Sequence, residues 1–312
     1  MSKRHPVVAV TGSSGAGTST VKRAFEHIFA REDIVPAVVE GDSYHRFERM
    51  PMKKAMADAL SKGENFSHFG PEANLFDKLE ELFKIYGETG GGKKRYYLHS
   101  PEEAEEHNTR LGTSLEPGQF TPWEDIPEGT DVLFYEGLHG GVEGDGYNVA
   151  SYADLLVGVV PITNLEWIQK IHRDTAERGY DPRDVTDNIL RRMSDYVHYI
   201  TPQFSLTDVN FQRVPTVDTS NPFVARDIPT LDESFVVIRF KDPDKLQVYF
   251  PFLLSMIHGA FMSRRNTIVV PGGKMGLAIE IIFTPIVVDM IKRKDTDRPQ
   301  LSVADQRGLR VT

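Results

Sequence analysis

An α/β fold with a mixed, mainly parallel sheet and flanking helices is what this sequence of 312 residues predicts. Three observations carry the prediction. The chain opens on a β-α-β unit: the apolar run "VVAV", a glycine-rich loop, the amphipathic stretch "STVKRAFEHIFARED" and a second apolar run, "IVPAVVEG". Further strand-like runs then alternate with segments whose apolar residues recur at helical spacing. No proline-rich or low-complexity linker and no internal repeat divides the chain.

Along the chain, "LFDKLEELFKIY" has helical periodicity, and the polar, glycine-rich "GETGGGKKRYYLHSPEEAEEHNTRLGTSLEPG" reads as a long surface loop or lid. "TDVLFYEG" is a strand ending on Glu136-Gly137, and "DLLVGVVP" is another. "NLEWIQKIHRDTAERG" and "NILRRMSDYVHYITPQF" read as helices. "SFVVIRF" and "NTIVVPGG" continue the strands before a closing apolar helix, as antiparallel additions to the parallel core. Residues 1–293 therefore read as one domain, and 294–312, with few apolar residues, as a mobile polar tail.

Charge and composition exclude several functions. The formal net charge of -9 argues against a nucleic-acid binder, so an anionic ligand needs a local basic cluster. With no cysteine, disulfides, thiolate metal sites and thiol switching are ruled out. "MGLAIEIIFTPIVVDMI" is too short and too interrupted by Glu280, Pro285 and Asp289 to span a bilayer, and the N-terminus shows no apolar targeting segment. A cytoplasmic enzyme, acting neither on nucleic acid nor at a membrane, is the expectation.

"VAVTGSSGAGTST" is the most informative stretch. A phosphate-binding loop reads G-x-x-x-x-G-K-[ST], and here Gly12 and Gly17 have that spacing but Thr18-Ser19 follows, without the lysine. Such a loop turns backbone N–H groups and a helix N-terminus toward an anion. Gly12, Ser13, Ser14, Gly15, Ala16, Gly17, Thr18, Ser19 and Thr20 are thus nucleotide-binding candidates, with Ser19 at the metal-binding hydroxyl position or, more plainly, a first-turn helix serine. Either the loop holds something other than a triphosphate, or the missing charge comes from elsewhere. A dehydrogenase of the short-chain type is a poor match, because none of the tyrosines has a lysine four residues on.

Acids and cations elsewhere favour the second alternative. Glu136 closes a strand, as does the acid that supports the metal in phosphate-loop enzymes, although a strand-end acid is often only solvated. Asp42 follows the second strand in "EGDSYHRFER", where open α/β sheets bind ligands, and a carboxylate there can take the proton of an attacking hydroxyl. The run His45, Arg46, Arg49, Lys53 and Lys54 beside it suits an anionic substrate group. In "KIHRDTAERG", Lys170, Arg173, Asp174 and Arg178 share one broad helix face. A charge-assisted hydrogen bond is worth roughly 1.5–3 kcal/mol, so cations from this helix can replace the loop lysine. His139 and His172 lack metal-ligand spacing and are expected in polar surface roles.

With these residues assembled, the chain resembles the phosphoribulokinases of the bacterial type over about residues 5–293. The resemblance rests on "TGSSGAGTS", "GDSYHR", "FYEGLHGG", "KIHRDTAERG", "ITPQFSLTDVNFQRVPTVDTSNPF" and "VVPGGKMGLA". A phosphate loop with threonine in place of lysine is usual in that family. The resemblance implies a phosphate-loop fold similar to nucleoside monophosphate kinases. It implies phosphorylation of ribulose 5-phosphate by ATP, with Mg²⁺, giving ribulose 1,5-bisphosphate in the Calvin cycle. It also implies Asp42 as general base, Ser19 and Glu136 at the metal, and His45, Arg49, Arg173 and Arg178 on the sugar phosphate. Lys170 and Asp174 would act on the transferring phosphoryl group. Bacterial members are homo-octamers activated by NADH and inhibited by AMP, and Arg31, Arg192 and Arg239, all outside the catalytic motifs, are candidates to bind NADH away from the active site. One departure is Gly179-Tyr180-Asp181, where a small hydroxyl residue is expected after Arg178-Gly179. A uridine-type nucleoside kinase is disfavoured by the basic run, and a silent nucleotide sensor by the presence of both Asp42 and Glu136.

Overall fold

A computed structural model describes residues 5–13, 17–176, 179–225 and 227–296. Ser14, Gly15, Ala16, Arg178 and the tail beyond residue 296, all singled out above, lie outside the described residues.

One eight-stranded sheet organises the chain. Its strands are β1 (Val7–Thr11), β2 (Pro36–Glu40), β3 (Val132–Gly137), β4 (Leu155–Val160), β5 (Val209–Pro215), β6 (Ser234–Phe240), β7 (Phe261–Arg264) and β8 (Thr267–Pro271), in the spatial order β7-β8-β6-β5-β4-β1-β3-β2. Strands β2, β3, β1, β4 and β5 are mutually parallel. β6, β8 and β7 extend them antiparallel, with a register shift between Met262 and Arg264. β1 is buried at every position, as expected for a parallel strand covered on both faces.

Helices cover both faces. α1 (Thr18–Arg31) buries Val21, Ala24, Phe25, Ile28 and Phe29, one stripe at helical spacing. Phe25 packs against Phe134 of β3 and Phe283 of the closing helix, with ring centroids 5.1 and 5.0 Å apart. Burying such a ring contributes about 1.5–3 kcal/mol. On the other face, α3 (Phe76–Thr89) sets Leu79, Leu82, Phe83 and Tyr86 against Leu133, Tyr135, Ala37 and Val39.

Besides β5 and β7, which were not expected as strands, two segments differ from expectation. The segment read as a lid contains α4 (Pro101–Leu111), capped by Ser100, whose hydroxyl accepts from the Glu103 N–H at 3.3 Å, and ended by Gly112. Within the segment read as one late helix, α6 (Pro182–Arg191) stops early. The chain then continues as one α turn, a π turn over Tyr196–Ile200 and a 3₁₀ turn over Thr201–Ser205. Pro202 forbids a continuous ladder there. Between these lie α2 (Arg49–Ser61) and α5 (Thr163–Ala176), and the fold closes with α7 (Phe250–Met256) and α8 (Met275–Thr296).

Candidate active site

The parallel strands gather their carboxyl ends, and four chain segments leave from there: the glycine loop after β1, the turn Gly41–Tyr44 after β2, residues 138–142 after β3, and α5 after β4. In open α/β sheets that edge is where ligands bind. Two glycines make the first loop possible. A side chain on Gly12 would meet the Val159 carbonyl at 2.9 Å, and Gly17 has φ of 99°, a left-handed conformation at the start of α1. Gln203 braces this edge from "TPQFS". It accepts from the Thr11 hydroxyl (2.9 Å) and the Gly141 N–H (3.0 Å), and it donates to the Leu138 carbonyl (3.0 Å).

Beside the glycine loop, buried Ser13 donates its hydroxyl to Glu166, which also accepts from the Tyr196 hydroxyl at 3.1 Å. Burial pushes the Glu166 carboxyl up, against the opposing effect of those two donors. One turn along α5, Lys170 and Arg173 both pair with Asp174, the arginine at 3.2 Å. The cations that were to replace the loop lysine are thus gathered on one helix, but around an acid of their own. Burial, reinforced by the charge of Arg192, pushes the Lys170 amine down to about 8. Arg192 therefore stands beside Lys170, Asp174 and Glu166, not remote from the site as its sequence position suggested. Arg31 pairs at the surface with Glu280 (3.0 Å), and Arg239 is exposed on β6.

Glu136 ends β3 beside Glu40 of β2, the two in register on parallel strands. Burial raises its carboxyl, while the Thr18 hydroxyl and Lys22 of α1 oppose that rise. Lys22 holds Glu40 at 2.6 Å, and its own amine is raised because Glu40 and Glu136 outweigh its burial. Sequence reasoning missed both residues, although Lys22 stands one helical turn after Thr18. Ser19 is exposed. Among the described residues no three His, Asp or Glu side chains cluster as a metal site. One strand-end carboxylate with nearby hydroxyls fits a Mg²⁺ held mainly by nucleotide phosphates, because that ion keeps most of its water and takes few protein ligands.

The turn after β2 centres on Asp42. Its side chain is 42% exposed to the cleft, with one oxygen 3.2 Å from His45 Nε2 and the other 3.7 Å from His99 Nε2. Enclosure by the cleft pushes this carboxyl up, but the His45 hydrogen bond and the charges of His45 and His99 override it and hold the group well below the usual range. His45 is buried, and its Nδ1 lies 2.7 Å from Asn74 Oδ1. Arg95 props the turn from beneath. Its guanidinium donates to the carbonyls of Ser43 (2.7 Å) and His45 (2.6 Å) while stacking 3.6 Å over Phe120 and 4.6 Å from Trp123. Arg49, half-buried at the start of α2, donates to the His99 carbonyl at 3.1 Å. Lys53 and Lys54 are exposed.

Of the two histidines expected in polar surface roles, His139 is not at the surface. His139 is only 3% exposed, its Nε2 3.2 Å from the Phe69 carbonyl, and burial pushes it down to about 3. His172 is half-buried against the Ala225 carbonyl at 3.0 Å. The departure at Tyr180-Asp181 has a local reason. Asp181 caps α6, accepting from the Arg183 N–H at 2.8 Å, a task that serine or threonine performs equally well.

Strand, glycine loop and helix, with a strand-end acid on the neighbouring strand, define a phosphate-loop kinase fold. Residues 7–220 match the family described as the phosphoribulokinase / uridine kinase family. The chain is 61% identical over 295 residues to the chromosomal phosphoribulokinase of Cupriavidus necator, covering 94% of this chain and 98% of that protein. It is 57% identical over 294 residues to a probable phosphoribulokinase of Escherichia coli K12, covering 94% and 99%. A solved phosphoribulokinase from Rhodobacter spheroides superposes with a TM-score of 0.85 at 52% identity, covering 94% of this chain and all of that one. The chain belongs to the phosphoribulokinase / uridine kinase family.

Proposed function

We infer that this protein transfers the γ-phosphoryl group of ATP to a hydroxyl of ribulose 5-phosphate, giving ribulose 1,5-bisphosphate and ADP, the step that supplies the Calvin cycle's carboxylation substrate. The observation that carries this reading is the near-full-length identity to relatives named phosphoribulokinase, at 61% over 295 residues. The geometry supports it. Asp42 is a carboxylate kept ionised at the cleft, suited to take the hydroxyl proton as that oxygen attacks phosphorus. Arg49 and His45 flank it, Arg173 lies on α5, and Arg178, outside the described residues, joins them on the sequence motif alone. These are the candidates for the sugar phosphate.

Residues 12–20 would cradle the triphosphate with their backbone N–H groups and the α1 N-terminus. Ser19 and Glu136 would hold the Mg²⁺ that, when bound, neutralises charge on the transferring group. Lys170, paired with Asp174, would face that group. Residues 1–293 form the catalytic unit on this reading. Its finer parts are a cytoplasmic homo-octamer and activation by NADH, with Arg31 and Arg239 as surface cations for the dinucleotide and Arg192 placed instead to sense the active site.

ADP release with ribulose 5-phosphate, uridine and other sugar phosphates as acceptors tests the substrate. Ribulose 5-phosphate is expected to have the highest kcat/KM, and a preference for uridine would overturn the reading. Repeating the assay with NADH at sub-saturating substrate should raise the rate.

A further inference from the structure

His45 has both ring nitrogens engaged: Nδ1 lies 2.7 Å from Asn74 Oδ1 and Nε2 3.2 Å from Asp42 Oδ1, with the residue only 6% exposed. Which protons it carries follows from Asn74. The Asn74 amide nitrogen sits 2.9 Å from the His68 carbonyl and 2.7 Å from the Gly70 carbonyl. Both amide N–H groups are therefore committed, and the opposite orientation would set oxygen against two carbonyl oxygens. The Asn74 oxygen must face His45, and an amide oxygen only accepts, so Nδ1 carries a proton. On the ring's other side stands an ionised carboxylate, which also only accepts, so Nε2 carries the second.

We propose that Asn74 is a positioning residue that locks His45 as a double donor, an imidazolium held against Asp42. This deepens the reading of Asp42 as the base and rests on it. The device answers a problem the substrates create. A triphosphate and a sugar phosphate bring several negative charges to the cleft, and each raises the proton affinity of Asp42. A fixed cation in hydrogen-bond contact opposes that rise and keeps the carboxylate able to accept the hydroxyl proton.

The surroundings of His45 leave the work to two groups. From the segment behind it, His68 packs with ring centroids 4.6 Å apart, and burial pushes that histidine down to about 3, so it contributes no charge. His139, similarly lowered, is also neutral. Arg95, below the turn, opposes protonation of His45, as does burial, and only the hydrogen bonds to Asp42 and Asn74 with the Asp42 charge favour it. The balance lies above the ordinary histidine value.

Asn74 leaves no sequence signal of this role. It stands in "FGPEANLF" with no catalytic motif nearby, and only the bridge between the His45 and Asn74 backbones brings the two together.

The test is ¹⁵N histidine NMR on the full chain without substrate, with His45 assigned by its disappearance in His45→Gln, followed by pH profiles of kcat/KM. In the wild type, His45 is expected to be protonated on both nitrogens at neutral pH; a neutral His45 overturns the proposal without any variant. Asn74→Leu removes the acceptor and should leave His45 with Nε2–H alone. Because an adjacent opposite charge lowers a carboxylate by about 1–3 pH units, the acid limb of kcat/KM should then rise by about that much. Asn74→Asp keeps an acceptor and loses both donors, so it should keep His45 doubly protonated and raise the acid limb by less than Asn74→Leu does, whatever it costs in stability. Equal loss in both variants with an unmoved pH profile would make Asn74 a purely structural residue and sink the idea. The NMR is read without substrate, so its failure overturns this inference alone. Failure to turn over ribulose 5-phosphate, with the NMR pattern intact, overturns the substrate and leaves the lock supported.

Discussion

The two sides of the cleft hold their charges differently. On the acceptor side, Asp42 faces His45, and the groups behind that pair are backbone carbonyls, an amide and a stacked guanidinium. On the donor side, Lys170 and Arg173 share one acid of their own helix, Asp174. An incoming phosphate would compete with Asp42 for His45, whose ring Asn74 fixes from behind, and with Asp174 for Lys170 and Arg173, which share that one carboxylate. The difference teaches that Asp42 is fixed by groups from other segments of the chain, whereas the α5 cations are held by an acid of their own helix.

The largest effect should come from removing the charge of Asp42 itself. Asp42→Asn keeps size and hydrogen bonding but cannot accept a proton. General-base removal costs about 10²–10⁴-fold in rate, so kcat should fall by that amount while the KM for ATP stays near its original value. Steady-state kinetics with each substrate varied in turn measures both. Near-full turnover would show that the acceptor side is ready for something other than proton transfer.

A smaller loss tests whether the frame beneath Asp42 matters. Arg95 donates to two carbonyls of the Asp42 turn and stacks on Phe120 and Trp123, and burial lowers its guanidinium to about 10. Lysine cannot reproduce a planar, two-pronged, stacked donor. Misplacing a reacting group by about 1 Å can cost about 10²-fold. Arg95→Lys should therefore lower kcat by about tenfold to a hundredfold in protein that still melts cooperatively. Unchanged kcat with a lowered Tm would reduce Arg95 to a structural support and weaken the contrast between the two sides.

Six of the eight strands were legible because their signals are local, whereas β5 and β7, with polar residues between their apolar ones, were not read. Apolar runs of the right length, Gly12 and Gly17 at fixed spacing, and an acid at each of two strand ends are all read within a few residues. The helix in the supposed lid was missed because its glycine-rich flanks dominate the segment, although Ser100, Pro101 and Glu103 are start signals. The frame around Asp42 was not legible at all. Asn74, Arg95 and Glu166 reach His45 or Ser13 across 29 to 153 residues of chain, and nothing in their own neighbourhoods marks them. His139 misled for the same reason. A histidine's burial is decided by the packing of distant elements, here Phe69 and Phe76, and not by its neighbours in sequence.

The smallest effect at neutral pH, and the most direct probe of the α5 cations, concerns Lys170. Its side chain is 13% exposed, and burial together with the charges of Arg192 and Arg173 outweighs Asp174, lowering the amine to about 8. The sign follows. Below pH 8 the group is a cation able to meet a phosphoryl oxygen, and above it the free enzyme loses that charge. The profile of kcat/KM for ATP reports groups of the free enzyme, so it should carry an alkaline limb with an apparent pKa of about 8. Arginine stays charged through the whole range, and its fork still reaches Asp174. Lys170→Arg should therefore cost a few fold at neutral pH, through its bulk in a packed site, yet abolish that limb up to about pH 10. If the limb near pH 8 survives in Lys170→Arg, another group titrates there, and the donor-side cation that matters is not the one held by Asp174.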